Sequence, residues 1–213
     1  MSALEFQERP ASGDARGILF LHHGRGSWEG DLLPLAEVLD PEHSLHVVAP
    51  RAPIELPTQP GYHWYLVPRV GYPDHDSFHA ALSALTDFHD ETYERLGIGP
   101  DRAVLGGFSM GAVMSFSTGL AADRAAPAAI TAFSGFVPTV DGWEPSLVDR
   151  TDLPVLISHG AKDPVITVDF GREARDLLEA GGLTPKYLEF DGGHWIDEGS
   201  LMPAADVIDV ALA

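Results

Sequence analysis

The stretch VLGGFSMGAVMSF, residues 104–116, sets a serine between two glycines in Gly107-Phe108-Ser109-Met110-Gly111. An apolar run leads into it and a helix-like run leads out. A serine hydroxyl is a weak nucleophile until a base takes its proton, and an imidazole oriented by a carboxylate supplies that base. Both kinds of group follow along the chain: Asp163 in SHGAKDPV and His194 in FDGGHW. As a set, Ser109 attacks a carbonyl carbon, His194 Nε2 carries the proton, and Asp163 fixes the tautomer of His194 and stabilises the imidazolium. Glycines at 107 and 111 let strand and helix approach without Cβ clashes, so the backbone can take a strained bend at Ser109. A serine that merely caps a helix is the alternative.

Negative charge developing on the attacked carbonyl oxygen needs donors. A helix starting after Ser109 presents free N–H groups and the positive end of its dipole there. The backbone N–H of Met110 is one expected donor. The N–H of Arg25, in HHGRG, is the other, with Gly24 permitting the tight turn.

Rival assignments stay open. Asp152 and Asp169 compete with Asp163 as the acid. His159 competes with His194 as the base, although its place at a strand end suits it better to ordering the loop of the acid. His22 and His23 read as structural hydrogen-bonding groups. His75 and His79 stand one turn apart beside Asp74 and Asp76, a spacing able to hold a metal; a solvated, acid-rich helix start is the expected reading, with no metal. Trp64 and Trp195 are the expected walls of an apolar pocket, the latter because it adjoins His194.

Chemistry at these positions requires elements that bring them together. GILFLHH (17–23), SLHVVAP (44–50), RAVLGGF (102–108), AAITAFSG (128–135), LPVLISHG (153–160) and PKYLEFDGG (185–193) read as buried strands. Helices are expected over 29–40, 76–96, 110–121, 169–180 and about 200–212. Strands separated by helices imply a mostly parallel sheet with helices on both faces. Ligands in such sheets sit outside the carboxyl ends of the strands, and the HHGRG turn, Ser109, Asp163 and His194 each follow one of these strands.

The whole chain, 1–213, is long enough for one well-buried core and is expected to form a single domain. No apolar run approaches the roughly 18 residues of a membrane span, and the polar start does not read as a secretory signal. There is no cysteine, which excludes a disulfide framework and a thiol nucleophile and fits a cytoplasmic protein. With 13 Lys+Arg against 32 Asp+Glu, the formal net charge is −19. A field of that sign opposes nucleic acid or an anionic membrane as a partner. Abundant acid with only Lys162 and Lys186 as lysines fits a salty cytoplasm that screens the self-repulsion; an acidic protein of an ordinary cell is the alternative.

The combination LHHGRGS, GGFSMGAVMS, HGAKDPV and GGHW resembles the phospholipase/carboxylesterase family of serine hydrolases, which includes acyl-protein thioesterases, and its short prokaryotic carboxylesterases most of all. The similarity runs from about Gly17 to the terminal helix. It implies a minimal α/β-hydrolase fold with little or no lid, a monomer or homodimer, and hydrolysis of small carboxylic esters without a cofactor. Thioesters and lysophospholipids are the alternative substrates, and a catalytically silent binding protein on the same fold is the competing class. The segment RAPIELPTQPGYHWYLV (51–67) resembles the part of the family where a Trp-Tyr-like pair lies near the acyl site. Met110 departs from the glutamine that many members carry after the serine, a change the backbone N–H survives.

Overall fold

The computed structural model describes residues 4–55 and 57–213. Its strands are β1 (Phe6–Arg9), β2 (Gly17–His22), β3 (Leu45–Pro50), β4 (Ile54–Glu55), β5 (Tyr62–His63), β6 (Ala103–Phe108), β7 (Ala129–Phe133), β8 (Val155–Gly160) and β9 (Lys186–Phe190). Its helices are α1 (Ala36–Leu39), α2 (His75–Leu96), α3 (Met110–Gly119), α4 (Val168–Ala180) and α5 (Leu201–Ala211). The main sheet has 7 strands in the order β1-β3-β2-β6-β7-β8-β9, parallel except for β1.

Period-two alternation along the strands builds two cores. Ile18 and Phe20 of β2 face one layer with Phe78 and Leu85 of α2, Val113 of α3 and Leu178 of α4. Leu19 and Leu21 face the other layer, with Leu39 of α1 and Ile208 of α5. Strands covered on both faces carry continuous apolar runs, as these do. Burying each such large side chain contributes about 1.5–3 kcal/mol.

Helix ends follow local chemistry. Asp74 caps α2 by accepting the Ser77 N–H at 3.0 Å, and Gly97 ends it in the left-handed region at φ 65°. The expected helix over 29–40 is much shorter: a 3-10 turn at Leu33–Leu35 passes into the single turn of α1. Pro34 lacks an N–H and its ring crowds the carbonyl four residues back, so a regular helix cannot run through it. The expected strands are each present with trimmed ends. Two features were not anticipated. β1 carries one apolar residue, Phe6, and is mostly exposed at the sheet edge, so no alternation marks it. β4 and β5 pair over only two residues each. Among the described residues, no helix is long and apolar enough to cross a membrane.

The register decides where chemistry can gather. His22↔Gly107 places the end of β2 beside the end of β6, and Gly160↔Phe190 aligns the ends of β8 and β9. The four segments that follow these strands therefore emerge along one rim.

Candidate active site

Ser109 links β6 to α3 with φ 55° and ψ −121°, a conformation that L-residues rarely adopt. Its N–H donates to the Phe133 carbonyl at 2.8 Å, which pins the bend to the neighbouring strand. The flanking glycines are sterically required. A Cβ on Gly107 would lie 2.5 Å from the Gly111 carbonyl carbon, and one on Gly111 would lie 1.9 Å from the His22 carbonyl oxygen. The elbow thus sits directly against the end of β2.

Ser109 and His194 are joined at 2.8 Å between Oγ and Nε2, and His194 Nδ1 lies 2.6 Å from Asp163 Oδ2. The second carboxylate oxygen of Asp163 accepts the N–H groups of Val165 at 2.8 Å and Ile166 at 2.9 Å. An ionised carboxylate only accepts, so His194 donates from Nδ1 and leaves Nε2 as the acceptor for the serine hydroxyl. Phe108 packs against the imidazole with ring centroids 4.9 Å apart.

The loops that carry acid and base are zipped together. Ala161 N–H donates to the Phe190 carbonyl and Lys162 N–H to the Gly192 carbonyl. A Cβ on Gly160 would lie 2.2 Å from the Gly193 carbonyl oxygen, so only glycine permits this approach. His159 is fully buried and donates from Nε2 to the Ile166 carbonyl at 2.8 Å, bracing the Asp163 loop. Burial holds its pKa below the ordinary imidazole value. Asp152 lies before the opposite end of β8, and Asp169 faces Arg172 in the first turn of α4. Neither reaches His194.

Beneath the elbow, His22 Nδ1 lies 2.8 Å from Ser115 Oγ, which donates to the Gly111 carbonyl, and His22 Nε2 lies 3.1 Å from His89 Nε2. Burial pushes His89 down to about 3 and lowers His22 as well, so this buried pair is neutral. His23 accepts the Ala52 N–H at Nε2 and therefore donates from Nδ1 to the Gly24 carbonyl. That bond shapes the turn bearing Arg25. The same turn is tied to the β5 segment by Gly26 N–H to the Tyr62 carbonyl and Tyr62 N–H to the Ser27 carbonyl.

A cavity of about 240 Å³ opens at Ser109 and His194, with Arg25, Met110, Tyr65 and Phe136 among its walls. The expected wall residues Trp64 and Trp195 are not among them. Trp64 is wholly buried behind the wall, with its indole N–H donating to the His23 carbonyl at 2.9 Å and its own amide donating to Met110 Sδ. Trp195 is 53% exposed and packs on Phe190. Tyr65, next to Trp64 in the chain, takes the wall position instead. Val165 and Ile166, from the Asp163 loop, also line the cavity and were not anticipated. A larger hollow of about 680 Å³ lies elsewhere, beside His79, whose Nε2 is bonded to the Asp141 carbonyl. His75 pairs with Asp76, and among the described residues no three His, Asp or Glu side chains gather as metal ligands.

The profile of the phospholipase/carboxylesterase family matches residues 7–212. The chain belongs to that family. Acyl-protein thioesterase 1 of Debaryomyces hansenii is 28% identical over 216 residues, covering 93% of this chain and 92% of the relative. A carboxylesterase from Mesorhizobium loti superposes with a TM-score of 0.81 at 26% identity, covering 99% of this chain and 94% of the other. The carboxylesterase of Bacillus cereus shares the fold with a TM-score of 0.85 at 23% identity, covering 99% and 95%. The architecture is the α/β-hydrolase fold, and this phospholipase/carboxylesterase family member is a hydrolase by descent.

Proposed function

We propose that the chain is a serine carboxylesterase that forms an acyl-enzyme on Ser109. The observation that carries this reading is the continuous series Ser109 Oγ, His194 Nε2, His194 Nδ1 and Asp163 Oδ2, each link at hydrogen-bond distance. As Oγ attacks the ester carbonyl, its proton passes to His194 Nε2, and Asp163 stabilises the imidazolium. The carbonyl oxygen gains the electron pair and is held by the N–H groups of Arg25 and Met110. Both residues border the cavity at Ser109, and neither amide has an acceptor among the described residues, which supports their role as donors. The tetrahedral species collapses, the alcohol leaves with the proton from His194, and water then repeats the sequence to release the acid.

An acyl thioesterase is the second reading, favoured by the name of the Debaryomyces relative. The same residues would serve it, since the leaving thiol needs less help from the acid. A panel of short p-nitrophenyl esters, acyl-CoA and lysophosphatidylcholine separates them. The strongly acidic chain should disfavour anionic acyl-CoA and lipid surfaces, so the short esters are expected to show the highest kcat/KM. Preference for the thioester would move the assignment to the second reading.

A further inference from the structure

Charge at the cavity runs against charge on the chain. The formal net charge is −19, yet the residues that line the cavity at Ser109 include two arginines, Arg25 and Arg69, and no aspartate or glutamate among the described residues. Each is held by a neutral group. Arg25 Nη2 donates to Gln59 Oε1 at 2.8 Å, and Arg69 lies over the Tyr72 ring, 3.6 Å from its centroid. These contacts orient the guanidinium planes without cancelling their charge.

The remaining lysines and arginines among the described residues are all otherwise engaged. Arg102 and Arg150 donate to main-chain carbonyls, and the rest stand against carboxylates. In a chain with such an excess of acid, random placement would not leave two uncompensated cations facing one hollow. The field of Arg25 also reaches inward: burial, and after it this charge, holds His63 below the ordinary imidazole range. The rest of the wall is largely apolar, with Val67, Val70, Phe136 and Ile166.

We propose that Arg25 and Arg69 bind a carboxylate on the substrate, so that the preferred substrate is a small ester bearing a free carboxylate within a few bonds of the scissile carbonyl. This rests on the serine-hydrolase reading above. A guanidinium fork matches a carboxylate in charge and geometry. The two side chains also offset, at the mouth of the site, a field that would otherwise repel an anionic substrate. A cavity of about 240 Å³ suits an acyl or alcohol part of a few carbons, with the apolar wall holding its methylenes and the arginines its far end.

The test uses two matched pairs. On the acyl side, the mono-p-nitrophenyl ester of glutaric acid is compared with p-nitrophenyl pentanoate. On the alcohol side, para-acetoxybenzoate is compared with para-acetoxybenzamide. In at least one pair the carboxylate-bearing ester should have a kcat/KM about tenfold or more above its neutral counterpart. That ratio should collapse in Arg69→Gln, be partly kept in Arg69→Lys, and fall as NaCl rises from about 0.05 M to about 1 M. A ratio within one preparation does not depend on how much protein is folded. Equal rates or a neutral preference in both pairs, with the neutral esters hydrolysed, overturns this inference and leaves the esterase reading standing. An Arg69→Gln ratio equal to that of the unmodified chain also overturns it. Hydrolysis of no member of either pair contradicts the esterase reading itself, and this inference falls with it.

Discussion

Ser109→Ala is expected to lower kcat for ester hydrolysis by roughly a millionfold, with a circular dichroism spectrum and melting temperature close to those of the unmodified chain. The two halves of that expectation have separate physical grounds. Oγ is the atom that forms the new bond, and no other hydroxyl among the described residues is joined to His194 Nε2. The fold, in contrast, hardly uses the side chain. Ser109 makes no capping bond to α3, and its N–H, which pins the bend, is a backbone group that alanine keeps. Removing the hydroxyl costs one hydrogen bond, about 1 kcal/mol. Alanine shares the strain of φ 55° with serine, so no new backbone penalty arises. Hydrolysis within tenfold of the original rate in this variant would exclude Ser109 as nucleophile.

Asp163→Asn is expected to lower kcat by about ten-thousandfold while leaving KM nearly unchanged. The substituted side chain is almost isosteric, and its amide oxygen can still accept the Val165 and Ile166 N–H groups that shape the loop. What changes is the atom facing His194. An amide NH₂ in place of Oδ2 donates to Nδ1, which forces the proton of the ring onto Nε2. The imidazole then offers the serine a donor where it needs an acceptor. Asp163→Ala is a poorer probe, because it leaves both loop amides without an acceptor at a buried position and so mixes loop collapse with loss of catalysis. The split between kcat and KM in Asp163→Asn identifies the carboxylate as acting on His194 rather than on substrate. Retention of full kcat would mean that the tautomer is set by something else.

Much of this architecture was legible in the residues. Strands buried on both faces must be apolar throughout, so β2, β6 and β8 stand out as short continuous runs. The glycines at 107 and 111 announced a backbone approach that the structure places at 1.9 Å for a would-be Cβ of Gly111. The order of Ser109, Asp163 and His194 after the strands now seen as β6, β8 and β9 pointed to one rim, and there Ser109 and Asp163 each lie within hydrogen-bond reach of His194. Elements at the margin were less legible. β1 is recognised by its ladder to β3, a long-range pairing that FQER itself does not encode. The stretch 29–40 shows a helical spacing of apolar residues, but with Pro34 near its start the helical part runs only from Leu33 to Leu39.

The cavity wall was least legible, because irregular backbone carries no periodicity to read. Trp64 and Tyr65 lie in a bend that follows β5, so no strand or helix period says which of the two faces the cavity. Tertiary bonds decide it, such as the Trp64 indole N–H to the His23 carbonyl, which turns the larger aromatic inward. Val165 and Ile166 belong to the wall only because Asp163 draws their amides around its carboxylate.

Reaction with a fluorophosphonate, followed by intact mass and peptide mapping, tests the claim that Ser109 carries an activated hydroxyl. A phosphonyl group attaches only where a base withdraws the serine proton and donors receive the developing charge. The account predicts one probe per chain, located on the peptide containing Ser109, with loss of ester hydrolysis in step with labelling. A chain that hydrolyses esters yet stays unlabelled at Ser109, or that carries the probe on another residue, would contradict it.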